Sequence, residues 1–337
     1  MDGQPVAQTR APVLTPAPAF TLKPVPIGLR SRILVRVLGW FLRRWLAWVM
    51  RGPLERLART QLSIAGRPCR DSAGLQLAYR LLGRAPRVVP GHVLGDLGAG
   101  RGNVILYIHG GAFVLPAAPD QHVRFVAKLC RALDAAAFLP DYRLAPLNRF
   151  PAPLDDCEWA YRALLDLGFE ARRIVVAGES AGGTLALGLL QRIRARGWPM
   201  PACVVPISPA ADTSRIHGLP ARTARMRSDP VLAIGSLSRL GELYVGDHDT
   251  ADPELSPLYA DFAGLPPLYF IAADNEVLRD DALTLAECAR RAGVSVETDV
   301  WPVLPHAFPI LEQMFPEAAT ARADIVAFAQ RYLPKAL

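Results

Sequence analysis

Gly178-Glu179-Ser180-Ala181-Gly182-Gly183 stands between the apolar run Ile174-Val175-Val176-Ala177 and an apolar helical stretch from Thr184 to Ile193. Strand, Gly-x-Ser-x-Gly and helix in that order allow few folds. The turn is so tight that the serine must sit at strained dihedrals. Only small neighbours let the following helix pass close behind the strand, a demand that the glycines and Ala181 meet. The strain lifts Ser180 Oγ clear of the sheet edge and aims the Ala181 N–H at the atom that reacts there. The pattern is short, and a bland serine in a Gly-rich loop also matches it. Two further segments decide between the readings.

Upstream, Asn103-Val104-Ile105-Leu106-Tyr107-Ile108 reads as a buried strand running into His109-Gly110-Gly111-Ala112-Phe113. Acyl transfer passes through an oxyanion that needs N–H donors fixed about 2.7–3.1 Å away, and a Gly pair lets backbone approach a ligand closely. Gly110 and Gly111 are therefore assigned as donors, with Ala181 as the third. His109 is read as a loop residue hydrogen-bonded to its own turn rather than a base. Downstream, the strand Pro267 to Ala272 ends in Ala273-Asp274-Asn275-Glu276-Val277-Leu278-Arg279-Asp280-Asp281, and a later strand ends in Leu304-Pro305-His306-Ala307-Phe308. Ser, acid and His follow in the order that this strand–turn–helix context requires. Of the six histidines only His306 follows a strand at the right place. It is predicted to deprotonate Ser180 while a carboxylate holds its tautomer.

These segments resemble the bacterial hormone-sensitive-lipase-like esterases, a branch of the α/β-hydrolases. His109-Gly110-Gly111-Ala112-Phe113 is similar to that family's HGGG-aromatic signature, with Ala in fourth place. Asp141-Tyr142-Arg143-Leu144-Ala145-Pro146 and Phe150-Pro151-Ala152 match its DYRLAPE…FPA stretch, with Leu147 where Glu is usual. Gly178 to Gly183 matches GDSAGG with Glu179 for Asp, and Val277 to Asp280 and His306-Ala307-Phe308 match the DPLRDE and HGF segments. The resemblance covers roughly residues 70–335. It implies an α/β-hydrolase fold with a mostly parallel sheet of about eight strands, flanking helices and a helical cap. It also puts Glu276 in the place of the catalytic acid, with Asp274 as the alternative and Asp280 as a loop brace. Asp141 and Arg143 are expected to form an internal ion pair.

A chain of 337 residues with 51% apolar content buries a large core. Strands are predicted near 75–82, 103–108, 135–140, 173–177, 202–207, 267–272 and 295–301. Helices are predicted over 120–133, 154–167, 182–196, 280–292 and 317–332; the alternation is that of an α/β sheet. The domain reading is a Pro-rich extended or disordered arm (1–26), a basic Trp/Arg-rich cap helix region (27–60) and a catalytic domain (61–337) with a cap insertion at about 210–255. Leu219, Met226, Val231, Leu232, Ile234, Leu237, Leu240, Leu243 and Tyr244 of the insertion either line an apolar pocket or form the buried face of short helices.

Charge is unevenly spread. The first 60 residues carry a net +8 and the other 277 a net −1. Leu29 to Arg51 interleaves Arg with Trp40, Phe41, Trp45 and Trp48, and its uncharged runs of six residues fall far short of the roughly 20 that a span needs. A cap helix is preferred; peripheral membrane contact through residues 29–51 is compatible with it. No reader fold for nucleic acid is recognisable. Five cysteines without C-x-x-C spacing, and no metal-ligand spacing, point to free thiols, a cytoplasmic location and no cofactor or metal. No secretory signal is read at the N-terminus.

The function expected is hydrolysis of uncharged short- to medium-chain carboxylic esters through a serine acyl-enzyme, with Ser180, Glu276 and His306 as triad. A lactone hydrolase uses identical groups, an acyltransferase would exclude water, and a non-catalytic small-molecule binding protein would be expected to lose a triad member. A homodimer is admitted but not encoded.

Overall fold

Short apolar runs bounded by turn residues give strands, and their alternation with amphipathic stretches gives crossover helices between parallel neighbours. In the computed structural model, which describes residues 20–65, 67–69, 71–98, 100–213, 220–232 and 239–335, eight strands form one sheet. They are β1 (Leu77–Arg84), β2 (Arg87–Leu94), β3 (Asn103–Ile108), β4 (Ala135–Pro140), β5 (Ile174–Glu179), β6 (Cys203–Ile207), β7 (Leu268–Ala273) and β8 (Val296–Trp301). Their order is β1-β2-β4-β3-β5-β6-β7-β8. β1 and β2 pair antiparallel, as do β2 and β4, and every other pair is parallel.

Both faces of the sheet are covered, so β5, β6 and β7 are buried along their whole length. Side chains alternate between two cores: Val104, Leu106 and Ile108 of β3 enter one, Ile105 and Tyr107 the other. The first core takes α4 (Ala152–Asp166), α5 (Ala181–Ala195) and α7 (Arg279–Arg291); the second takes α3 (Pro119–Leu133) and α8 (Glu317–Tyr332).

β2 has no counterpart in the sequence reading. Pro90 and Gly91 interrupt its apolar pattern, and proline normally argues against a strand inside a sheet. Here Pro90 pairs with Leu81 while its carbonyl accepts the Asp141 N–H at 2.8 Å. The expected Asp141–Arg143 ion pair is corrected. Arg143 binds Asp156 through Nε and Nη2, at 2.9–3.0 Å, and Asp141 accepts the Tyr79 hydroxyl at 2.9 Å. Asp156 on α4, which also accepts the Arg143 N–H at 2.7 Å, is the carboxylate that faces Arg143. Leu147 is 90% exposed.

Two helices precede the sheet, α1 (Leu29–Arg51) and α2 (Leu54–Ala65), separated by Gly52 and Pro53. α1 contributes Val35 to the second core and Leu46, Val49 and Met50 to the first. Glu317, at the start of α8, accepts the Gly28 N–H at 3.1 Å and the Ser31 hydroxyl at 2.7 Å, which fastens one end. Arg239 fastens the other by donating to Met50 O at 3.2 Å and Gly52 O at 2.6 Å. Ahead of α1, Leu22 bridges Val300 and the Lys23 N–H donates to Val300 O at 2.8 Å, along the otherwise open side of β8.

Residues 1–19 of the Pro-rich arm lie outside the described residues, as do Leu219, Ile234 and Leu237 of the insertion. Within the insertion the described helical pieces are α6 (Pro220–Arg225) and one π turn, Gly241–Val245.

Candidate active site

β5 ends at Glu179, α5 begins at Ala181, and Ser180 between them has φ 54° and ψ −123°, a strained pair for a residue with a Cβ. Its N–H donates to Ile207 O of β6 at 2.8 Å. A Cβ on Gly182 would lie 2.0 Å from Ile108 O, and one on Gly178 would lie 2.6 Å from Gly182 O. Glycine at both positions lets α5 cross directly behind β3 and β5.

His306 follows β8 and Glu276 lies between β7 and α7, so the crossover topology brings them to the same end of the sheet as Ser180. Glu276 is fully buried; its Oε2 meets His306 Nδ1 at 2.9 Å and its Oε1 accepts the Ala273 N–H at 3.2 Å. His306 Nε2 has no hydrogen-bond partner among the described residues and lines the same cavity as Ser180. Burial raises the Glu276 carboxyl above its usual range despite the pull of His306. Burial works against charge on His306 too, but the Glu276 hydrogen bond and charge outweigh it and raise the imidazole above its ordinary value. Asp274, the alternative acid, instead pairs with Arg279, and Asp280 takes Arg225 at 2.6 Å and Arg279 at 2.7 Å, bracing the loop.

The loop after β3 departs from the sequence reading at two residues, Gly110 and Ala112. Gly110, expected as an oxyanion donor, gives its N–H to Glu179 Oε1. A Cβ there would meet Glu179 O at 2.7 Å and Ser180 Cβ at 3.1 Å, so glycine is needed for packing against the elbow. Beyond it the chain turns through positive φ at Gly111 (117°), Ala112 (54°) and Phe113 (62°). The N–H groups of Gly111, Ala112 and Ala181 find no acceptor among the described residues, and all three residues line the cavity. Tyr142 donates its hydroxyl to His109 O at 2.7 Å, and the Phe113 ring stacks on Tyr244 at 3.9 Å, which fixes the loop. His109 Nδ1 lies 2.7 Å from Gly110 O, and burial followed by the nearby His122 pushes its pKa down to about 4. It is a neutral loop residue, as its place in the turn suggested.

Three residues escaped the sequence reading. Glu179 is buried against Gly110, the Tyr107 hydroxyl at 2.5 Å and His122 Nε2 at 2.9 Å. Burial opposes its charge, yet these partners, His122 first, hold it below the usual carboxylate range; burial opposes charge on His122 as well, and Glu179 outweighs it and raises the imidazole. Its position next to the serine was the only available signal. Asp229, from the insertion, accepts the Val277 N–H at 2.8 Å beside Glu276 and the Val231 and Leu232 N–H groups at 2.7 and 2.8 Å. Burial raises its carboxyl, with the positive field of His306 opposing. Ser208, after β6, accepts the Ala307 N–H at 3.3 Å. Neither Asp229 nor Ser208 carries a motif.

The cavity holds about 530 Å³ and is mostly apolar. Beside Ser180 and His306 its walls include Trp45 and Leu46 of α1, Ile64 of α2, and Leu232 and Leu240 of the insertion. Val231 also lines it, whereas Leu243 and Tyr244 are core residues 1–2% exposed, so the insertion's apolar set divides between pocket and core. Among the described residues no cluster of His, Cys, Asp or Glu is arranged to hold a metal ion. The site can place a neutral imidazole, a hydroxyl and three N–H donors around one uncharged carbonyl group.

A family model described as alpha/beta hydrolase fold matches residues 105–310. An acetyl-hydrolase of Streptomyces hygroscopicus is 37% identical over 220 residues, 65% of this chain and 73% of that protein. Esterase LipU of Mycobacterium tuberculosis is 34% identical over 280 residues, 81% of this chain and 90% of that one. The crystal structure of an esterase from the bacterial hormone-sensitive lipase family superposes with a TM-score of 0.78 at 30% identity, covering 92% of this chain and 100% of that chain. That of EstE5 soaked by p-nitrophenyl butyrate gives 0.79 at 31% identity, covering 90% and 99%.

Proposed function

As a member of the bacterial hormone-sensitive-lipase-like family of the α/β-hydrolases the chain is a serine carboxylic ester hydrolase, and we propose that it acts on uncharged esters of short to medium acyl chains. The observation that carries the proposal is the Glu276–His306 hydrogen bond opening, through an unpartnered Nε2, onto the apolar cavity that Ser180 lines. In the proposed reaction the ester carbonyl oxygen rests against the Gly111, Ala112 and Ala181 N–H groups. Ser180 Oγ attacks the carbonyl carbon while His306 Nε2 takes its proton. Collapse of the tetrahedral species expels the alcohol, which leaves with that proton. Water then attacks the acyl-enzyme, again with His306 as base, and the free acid departs. Glu276 keeps the Nδ1 proton facing itself and stabilises the imidazolium. An apolar wall favours a neutral acyl chain, and about 530 Å³ suits a small ester.

α1, α2 and the insertion are proposed as the cap, since each lines the cavity. Five unpaired cysteines, three of them buried, support a reducing compartment, the cytoplasm.

The test is release of p-nitrophenol from esters of two to sixteen acyl carbons. Wild type should peak at short chains, with Ser180→Ala reducing kcat at least about 10⁴-fold and Glu276→Gln about 10⁴-fold. Retained activity in Glu276→Gln would remove Glu276 from the triad. Turnover of lactones but of no open-chain ester would replace the substrate class, and neither would leave binding without chemistry.

A further inference from the structure

We propose that the outward face of α1 docks the protein on an anionic lipid surface. α1 has two apolar faces, and only one is used internally. Val35, Leu46, Val49 and Met50 are buried, whereas Ile33, Trp40, Phe41 and Trp48 are 50%, 61%, 63% and 54% exposed. Leu29, Ile33, Val37, Trp40, Arg44 and Trp48 recur at steps of three or four and so form one stripe along the helix. Large aromatic side chains in a continuous exposed stripe are uncommon on a surface that meets only water.

The charge around that stripe has one sign. α1 carries six arginines and no carboxylate, and the rest of the chain beyond residue 60 sums to −1. The Arg44 guanidinium lies over the Trp40 ring, 4.6 Å from its centre, and Arg56 of α2 over Trp48 at 3.9 Å. Tryptophan settles where headgroups meet acyl chains, and a stacked arginine stays level with phosphate oxygens that it binds through its fork. Apolar area and cationic charge thus sit at the same height on the helix. A second copy of the chain fits this face poorly, because two arginine-rich stripes with no carboxylates would oppose each other.

The face is also preformed. With one end held by Glu317 and the other by Arg239, the helix exists before it meets a membrane, so docking needs no folding step. It lies on the surface rather than crossing it: among the described residues no helix is long and apolar enough to span.

Co-sedimentation of the full chain with vesicles of phosphatidylcholine, or of phosphatidylcholine with about a third phosphatidylglycerol, tests the proposal. Partitioning should be about tenfold or more stronger on the anionic vesicles, weaken as salt is added, and shift tryptophan emission to the blue. Trp40→Ser/Phe41→Ser/Trp48→Ser should lower partitioning about tenfold while hydrolysing a soluble short ester as wild type does, which shows that the fold is kept. Arg36→Glu/Arg44→Glu should abolish the preference for anionic vesicles. Wild type remaining in the supernatant with both vesicles overturns the proposal, as does undiminished binding by the triple variant. A wild-type dimer that the triple variant dissolves, without vesicle binding, would reassign the face to a contact between copies.

Discussion

Glu276 and His306 face each other in a site so enclosed that both titrate away from their ordinary values, and the pH profile follows from the signs. In the proposed mechanism His306 must be neutral to accept the Ser180 proton; burial lowers its pKa, but the Glu276 hydrogen bond and charge outweigh burial and raise it. Activity is therefore lost as pH falls through a value above 6.5, the ordinary value for histidine. A plot of log kcat/KM against pH for a soluble ester should show that acid limb. In Glu276→Gln the residual activity should carry a limb at lower pH, because burial, which opposes the imidazolium, loses its main counterweight. An unmoved limb would assign the titration elsewhere. Glu276 as the proposed acid was legible only through alignment of Val277-Leu278-Arg279-Asp280; the pairing of Asp274 with Arg279 depends on a turn no spacing encodes. Gly110 shows the opposite limit. A Gly pair announces close backbone approach, but which N–H is free depends on Glu179 reaching back to Gly110 from the next strand.

Elements whose pattern is local were readable, and those defined by their neighbours were not. β3 and the helices on either side of the sheet fall within about two residues of the predicted ranges, because apolar periodicity and Gly or Pro boundaries are local signals. β2 was hidden because Pro90 is tolerated only in the pairing that the sheet supplies. The insertion stayed ambiguous because its apolar residues serve pocket and core together. Gly182→Ala would put a Cβ 2.0 Å from Ile108 O, and it should cost more than about 4 kcal/mol in denaturant unfolding or prevent folding outright. Gly241→Ala, with nothing within 4 Å and no positive φ, should stay within about 1 kcal/mol of wild type.

Across the whole molecule the insertion is tied to the catalytic loops by buried charge. Arg222 of α6 and Asp281 of α7 pair where each side chain is 2% exposed, and Asp281 also accepts the Ala211 N–H at 2.7 Å. Arg222→Met leaves that carboxylate buried and uncompensated, and it should lower stability by about 3–5 kcal/mol. Adding Asp281→Leu should restore only part of the loss, because it removes the buried charge but leaves the Ala211 N–H without its acceptor, and urea denaturation of the two variants distinguishes that pattern from general damage. The sheet's last edge has a consequence of another kind. Leu22 and Lys23 lean on Val300, and Glu317 grips Gly28 and Ser31, so the stretch that leads into α1 is completed by residues made much later, 286 positions on for the Ser31–Glu317 pair. A ribosome adding about 5–20 residues per second takes roughly 15–60 s to travel between them. For that interval the Trp- and Arg-rich helix is outside the tunnel with neither its edge strand nor its Glu317 clasp, and its earliest encounters are with whatever surface the nascent chain meets first.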